Sequence, residues 1–172
     1  MINRLAGLLL LLLTPCFNCF AQDIVQTKQY PKNFFRYPLD LPPSTAGSFG
    51  ELRPNHFHSG LDFKTNGRTG YPVHAAYDGY ISRLRVQFGG CGNAIYITHP
   101  NGFTTVYGHI ERFAPELEQA VRAQQYQQQS FEVDFNPPPY QLQVCQGDVI
   151  ALSGNAGASE GPHLHFEIRD TQ

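Results

Sequence analysis

The spacing of apolar residues changes along the chain, and each change marks a different kind of segment. Leu5 to Leu13 is one apolar run behind Arg4. Over about residues 22–47 no period holds, and Pro31, Pro38, Pro42 and Pro43 punctuate the segment. These prolines predict an extended lead-in lying on the domain surface. From Ser48 onward, short runs of Val, Ile, Tyr, Phe and Thr are broken by glycine turns about every 8 to 12 residues, the pattern of an antiparallel β domain.

The clearest hairpin runs from Ala94 to Pro100, turns at Asn101-Gly102 and returns from Phe103 to His109. Asn-Gly supplies the two positive φ values of a two-residue type I′ loop. That loop pairs His99 with Thr104, Ile97 with Val106 and Ala94 with His109. Alternation then sets His109 on the face of Tyr107, Thr105, Tyr96 and Thr98, and turns His99 to the opposite face beside Ile95 and Ile97.

Arg112 to Val144 has another texture. Ala114 and Pro115 open a helix that runs to about Gln129, with Leu117 and Val121 one turn apart and Glu118 paired to Arg122 at i,i+4. A polar tract, Gln124 to Gln129, and then Pro137-Pro138-Pro139 follow. The stretch reads as an excursion from the β core that covers or shapes one side of it. Later, Gly161-Pro162-His163-Leu164-His165-Phe166-Glu167-Ile168 alternates strictly. Its strand carries His163, His165 and Glu167 on one face and Leu164, Phe166 and Ile168 on the buried one.

Composition narrows the class. The 172 residues suit about one domain. With 12 Lys+Arg against 14 Asp+Glu and no run of like charges, nothing argues for nucleic acid or an anionic membrane surface as a partner. The initial apolar run reads as a secretory signal peptide cleaved after Ala21, leaving Gln22 first. As a helix it spans about 13 Å against a hydrocarbon core of about 30 Å, which rules it out as a transmembrane anchor. Cys16 and Cys19 leave with it, so their C-x-x-C spacing carries no redox or zinc function; acylation of Cys16 is the lipoprotein alternative. Cys91 and Cys145 remain, either as a disulfide or as two free thiols.

Candidate chemistry lies in the histidines. His58-Ser59-Gly60-Leu61-Asp62 sets an imidazole and a carboxylate four residues apart, with Gly60 permitting a tight path. His58, Asp62 and one histidine of the 161–168 strand make a two-His, one-carboxylate set. Such a set suits a catalytic zinc with one tetrahedral position left open.

Taken together, His58-Ser-Gly-Leu-Asp62, Asp78-Gly79, Gly90-Cys-Gly-Asn93, Tyr107-Gly-His109, Gly147-Asp148-Val-Ile-Ala and Gly161-Pro-His163-Leu-His165-Phe-Glu resemble the lysostaphin/LytM-type zinc metallopeptidases. The motifs stand in that family's order over about residues 48–170. The resemblance implies a mainly β metallopeptidase core, an antiparallel sheet or barrel-sandwich, with one short helical insertion at about 112–144. It implies one zinc ion per chain held by His58, Asp62 and His165, with His109 and His163 as unliganded catalytic histidines. It implies hydrolysis of peptide cross-links or stem peptides of bacterial peptidoglycan, in the periplasm or cell envelope. His56 is an alternative to His58 as ligand, His74 and His99 are expected to be structural or solvent-facing, and Glu167 to support the site without ligating. The separation of His109 from His163 exceeds that of compact family members. Gln172 follows His165 closely where family members continue, so a short form and a truncated chain with an unpaired edge are the two expectations there. The competing function is a non-catalytic envelope module that binds peptidoglycan or activates an amidase; cleavage of some other peptide is a third.

Overall fold

Alternation becomes strands wherever a glycine or proline turn lets the chain reverse. The computed structural model describes residues 32–54 and 56–170. The expected signal peptide and the Cys16–Cys19 pair lie outside them. From Asn33 onward the chain forms one compact unit. Its strands are β1 (Thr45–Gly47), β2 (Leu61–Lys64), β3 (Pro72–His74), β4 (Gly79–Val86), β5 (Ala94–Thr98), β6 (Phe103–Gly108), β7 (Ile110–Phe113), β8 (Val133–Phe135), β9 (Gln143–Val144), β10 (Val149–Ser153) and β11 (His163–Asp170), with the helix α1 (Pro115–Gln128) between β7 and β8.

Every strand pairing is antiparallel. The larger sheet runs β1-β2-β11-β6-β5-β4-β8, with β9 also on β4, and the smaller runs β3-β10-β7. One buried cluster joins them. Val73, Ile110 and Ile150 of the smaller sheet and Ile81, Leu84, Ile95, Ile97, Tyr107 and Leu164 of the larger all belong to it and are shielded from water. Burying each such aliphatic side chain contributes roughly 1.5–3 kcal/mol. The Tyr107 hydroxyl accepts the Ala76 amide at 2.8 Å, so its polar end is satisfied inside the core.

Four details depart from the expectations of sequence. The described part of the lead-in, from residue 32, is not a surface ribbon: Leu39 is buried in the core with Phe35, Tyr37 and Leu41 against it, and Thr45–Gly47 pairs with β2. Its prolines interrupt pairing, but its aromatic residues still have apolar surface to bury.

The hairpin loop has three residues, not two. Thr98 pairs with Thr104 and Ile97 with Thr105, the His99 amide donates to the Phe103 carbonyl, and Gly102 alone in the loop has positive φ, at 80°. A one-residue change in loop length exchanges faces on one strand relative to the other. Tyr96 therefore shares a small buried cluster with Val106, whereas Tyr107 joins Ile95 and Ile97 in the main core.

Ile168 is about half exposed at 48%, because β11 pairs with β2 only as far as Phe166 and then runs on beside β6 alone. The 112–144 stretch is only partly an excursion: β7 belongs to the smaller sheet, and β8 and β9 both pair with β4. Within it α1 buries Leu117 and Val121, carries Pro115 in its first turn, and ends at Gln129 in the left-handed region. Its Glu118–Arg122 pair forms at 3.0 Å.

Candidate metal centre

Strand register brings two of the candidate groups together. His165 on β11 stands opposite Asp62 on β2 and opposite Gly108 on β6, so both side chains project from one face beside a residue that has none. His58 arrives from a small hairpin over residues 48–58, closed by Gly50 N–H to the His58 carbonyl at 2.8 Å and His58 N–H to the Glu51 carbonyl at 2.9 Å. From there the chain must pass tightly under β11. A Cβ on Gly60 would lie under 3.0 Å from the Phe166 carbonyl, so only glycine fits that crossing.

His58 Nε2 lies 3.0 Å from His165 Nδ1 and 3.1 Å from Asp62 Oδ1, and His165 Nδ1 lies 3.0 Å from the same oxygen. All three residues are buried, at 5%, 6% and 5% exposure. Zinc bonds of about 2.1 Å at tetrahedral angles put neighbouring ligand atoms about 3.4 Å apart, so these donors need open by only a few tenths of an ångström. The donor types also suit zinc.

The far atom of each residue is already engaged. His58 Nδ1 donates to the Ser48 carbonyl at 2.9 Å, His165 Nε2 faces Glu167 Oε1 at 2.9 Å, and Asp62 Oδ2 accepts from Arg53 Nη2 at 2.8 Å. Glu167 is itself buried and accepts from Ser59 Oγ at 2.7 Å and from Arg169 Nε. It does not enter the cluster. The inner atoms are therefore the ones left for an ion.

Charge at the cluster follows from these contacts. Burial opposes ionisation of Asp62, but hydrogen bonds from His163 and His165 outweigh it and hold the carboxyl far below the usual range. Burial likewise opposes a charged His165; hydrogen bonds to Asp62 and Glu167 prevail and push it up to about 9. Glu167, despite burial, is held at about 2 by His165, Arg169 and Ser59.

His109 and His163 stand beside this triad, with ring centroids 4.5 Å apart and the His109 ring 5.9 Å from His165. Strand alternation does not bring His109 there. It lies just past the end of β6 with φ of +58°, a left-handed residue where the chain leaves the larger sheet for β7. Position 109 would otherwise fall on the core side with Tyr107; the left-handed turn swings it toward His163 and His165. His109 Nδ1 donates to the Ala156 carbonyl at 2.7 Å, and His163 Nδ1 lies 2.8 Å from the Gly161 carbonyl while its Nε2 is 3.4 Å from Asp62 Oδ1. Burial lowers His109 to about 4, which keeps its ring neutral at pH 7.

Two glycine loops support Ala156. A Cβ on Gly157 would lie under 3.0 Å from Gly92 N and Gly90 O, and both Gly92 and Gly157 have positive φ, so the 87–93 and 154–162 loops pack backbone to backbone. Ala158 N–H to the Gly90 carbonyl at 2.8 Å joins them.

The remaining histidines are elsewhere. His74 is tied to Asp40 at 2.9 Å and to the Gly147 carbonyl at 2.8 Å. His99 is buried between Asp78 and Thr105. His56 is exposed on the hairpin that carries His58, and its carbonyl accepts the Arg53 amide. Cys91, partly buried, and Cys145, exposed, are both free thiols. Sequence reasoning missed Arg53, because no spacing rule connects it to Asp62; the fold of the 48–58 hairpin creates the contact. Among the described residues no helix is long and apolar enough to cross a membrane.

The chain is similar to known peptidases. Residues 56–126 match the description of "Peptidase family M23". An uncharacterized metalloprotease of Haemophilus influenzae is 32% identical over 146 residues, covering 80% of this chain and 25% of that protein. The peptidoglycan DD-endopeptidase ShyA of Vibrio cholerae is 28% identical over 141 residues, covering 78% of this chain and 27% of that one. The chain thus spans about a quarter of the length of these curated relatives. A crystal structure of a zinc containing peptidase from Vibrio cholerae superimposes with a TM-score of 0.58 at 28% identity, covering 78% of this chain and 36% of that chain. With the fold, the ordered motifs and these matches in agreement, the chain carries a domain of peptidase family M23.

Proposed function

We propose that the domain is the catalytic part of an exported zinc metalloendopeptidase that hydrolyses peptide cross-links of bacterial peptidoglycan in the periplasm or cell envelope. One observation carries the proposal: three buried donor atoms, His58 Nε2, Asp62 Oδ1 and His165 Nδ1, converge while the opposite atom of each residue is held by the protein. These three residues hold the ion. When bound, zinc supplies Lewis acidity, polarising the scissile carbonyl and bringing the pKa of a coordinated water toward about 7.

The chain itself supplies the proton handling. With Nδ1–H of His109 committed to the Ala156 carbonyl, its Nε2 is the acceptor, and the low proton affinity that burial imposes keeps that lone pair available at neutral pH. His163 presents its Nε2 on the Asp62 side, tied at Nδ1 to the Gly161 carbonyl. One ring takes the proton of the attacking water at Nε2. A ring protonated there donates a hydrogen bond to the developing oxyanion or passes the proton to the leaving nitrogen.

Cross-linked muropeptides incubated with the purified protein and zinc should yield products whose masses identify one hydrolysed amide. His58→Ala and His165→Ala should each lose the bound zinc and lower kcat/KM by about 1000-fold or more, the loss of several kcal/mol of transition-state stabilisation. A wild-type protein that takes up no zinc at micromolar concentrations and leaves every muropeptide intact would refute the proposal.

A further inference from the structure

Asp62 has two oxygens and can meet an ion through one or both. Oδ1 is the atom shared with His58, His165 and His163, at 3.1, 3.0 and 3.4 Å. Oδ2 faces away and accepts from Arg53 Nη2 at 2.8 Å. The same Nη2 lies 2.7 Å from Glu51 Oε1, so the guanidinium is braced by a second carboxylate of its own hairpin. Glu51 in turn accepts the Ser48 amide at 2.8 Å through its other oxygen, next to the Ser48 carbonyl that fixes His58 Nδ1. Among the described residues the buried Arg53 Nε has no hydrogen-bond partner, so this placement leaves one donor unsatisfied there. A hairpin that keeps its arginine on Asp62 under that penalty is shaped for the contact.

From this geometry we infer that Arg53 is the positioning residue that confines Asp62 to one-oxygen ligation. The inference rests on the metal-centre assignment above. A carboxylate free to rotate would engage an ion through both oxygens and fill a coordination position that the reaction needs for water. With Oδ2 held by a charged hydrogen bond, only Oδ1 is offered. Arginine suits the task better than lysine, because its rigid planar guanidinium fixes the direction of the Nη2 hydrogens that meet Asp62 and Glu51.

The test uses the chain loaded with Co²⁺ in place of zinc, where visible absorption intensity reports coordination number, together with zinc affinity measured against a competing chelator. Arg53→Ala should weaken zinc affinity about 10- to 100-fold and reduce the Co²⁺ band intensity toward that of a five-coordinate site. Arg53→Lys should recover part of the affinity with an intermediate spectrum, and it keeps the test readable if the alanine variant fails to fold. A purely structural role for Arg53 would lower thermal stability and leave both metal readouts unchanged; wild-type affinity and spectrum in a folded Arg53 variant would overturn the inference. These readouts need no substrate. A wild type that binds no metal refutes the metal-centre assignment itself, whereas unaltered variants of a metal-binding wild type refute only the role given to Arg53.

Discussion

At the residue scale, the cluster of His58, Asp62 and His165 proposed to hold the ion is also a proton store. Without an ion, His165 holds its proton up to about pH 9, although burial alone would drive the proton off. Its folded pKa is raised above the ordinary value of 6.5. The resulting stabilisation of the metal-free chain is complete below about pH 6.5 and fades as pH rises through 9. Glu167 works in the opposite sense: its pKa is depressed from 4.5 to about 2, so its contribution is present above 4.5 and is lost as pH falls through 2. An ion needs the His165 Nδ1 lone pair, so binding must expel that proton. Zinc titrations at pH 7.5 in two buffers of different ionisation enthalpy should show release of close to one proton, and apparent affinity should rise about tenfold per pH unit up to about pH 9. Binding without proton release would place the ion elsewhere.

At the scale of elements, the two loops packed through Gly92 and Gly157 act as one unit that aims the Ala156 carbonyl at His109. Alanine at position 157 would force its Cβ into the Gly90–Gly92 backbone and strain a left-handed residue, at a cost of about 1–3 kcal/mol. Gly157→Ala should lower kcat strongly while leaving zinc stoichiometry at one per chain, since His58, Asp62 and His165 are carried by the segment before β2, by β2 and by β11 and not by these loops. Equal losses of metal and activity would contradict that division of labour.

The same elements mark how far the chain could be interpreted from its residues. Strict alternation over 161–168 was enough to place His163, His165 and Glu167 on a common face, and a proline at the helix start with Leu117 and Val121 one turn apart was enough to bound α1. Asn101-Gly102 announced a hairpin without disclosing whether Pro100 belonged to its loop. That single residue altered which side chains share a face. His109 was named by motif, but its left-handed backbone is imposed by the crossing between sheets, which no local pattern encodes. Arg53 was invisible for the same reason: its partner is nine positions away around a hairpin whose shape is tertiary.

For the whole molecule, the pairing of β11 with β2 and β6 has a kinetic meaning. His58 and His165 meet across 107 positions of sequence, and His165 lies on β11, which is held between β2 and β6. Contacts of such separation form late, after much loop-closure entropy has been overcome. The ion therefore has no complete site to recognise until the sheet is nearly closed. Zinc should leave the refolding rate almost unchanged and slow unfolding in proportion to its affinity, as followed by far-UV circular dichroism of a chain that has no tryptophan. Faster refolding with zinc would mean that a partial site forms early. If zinc is held as proposed, loading it is a seal placed on a finished fold, and the lifetime of the folded chain would be set by how slowly that seal comes off.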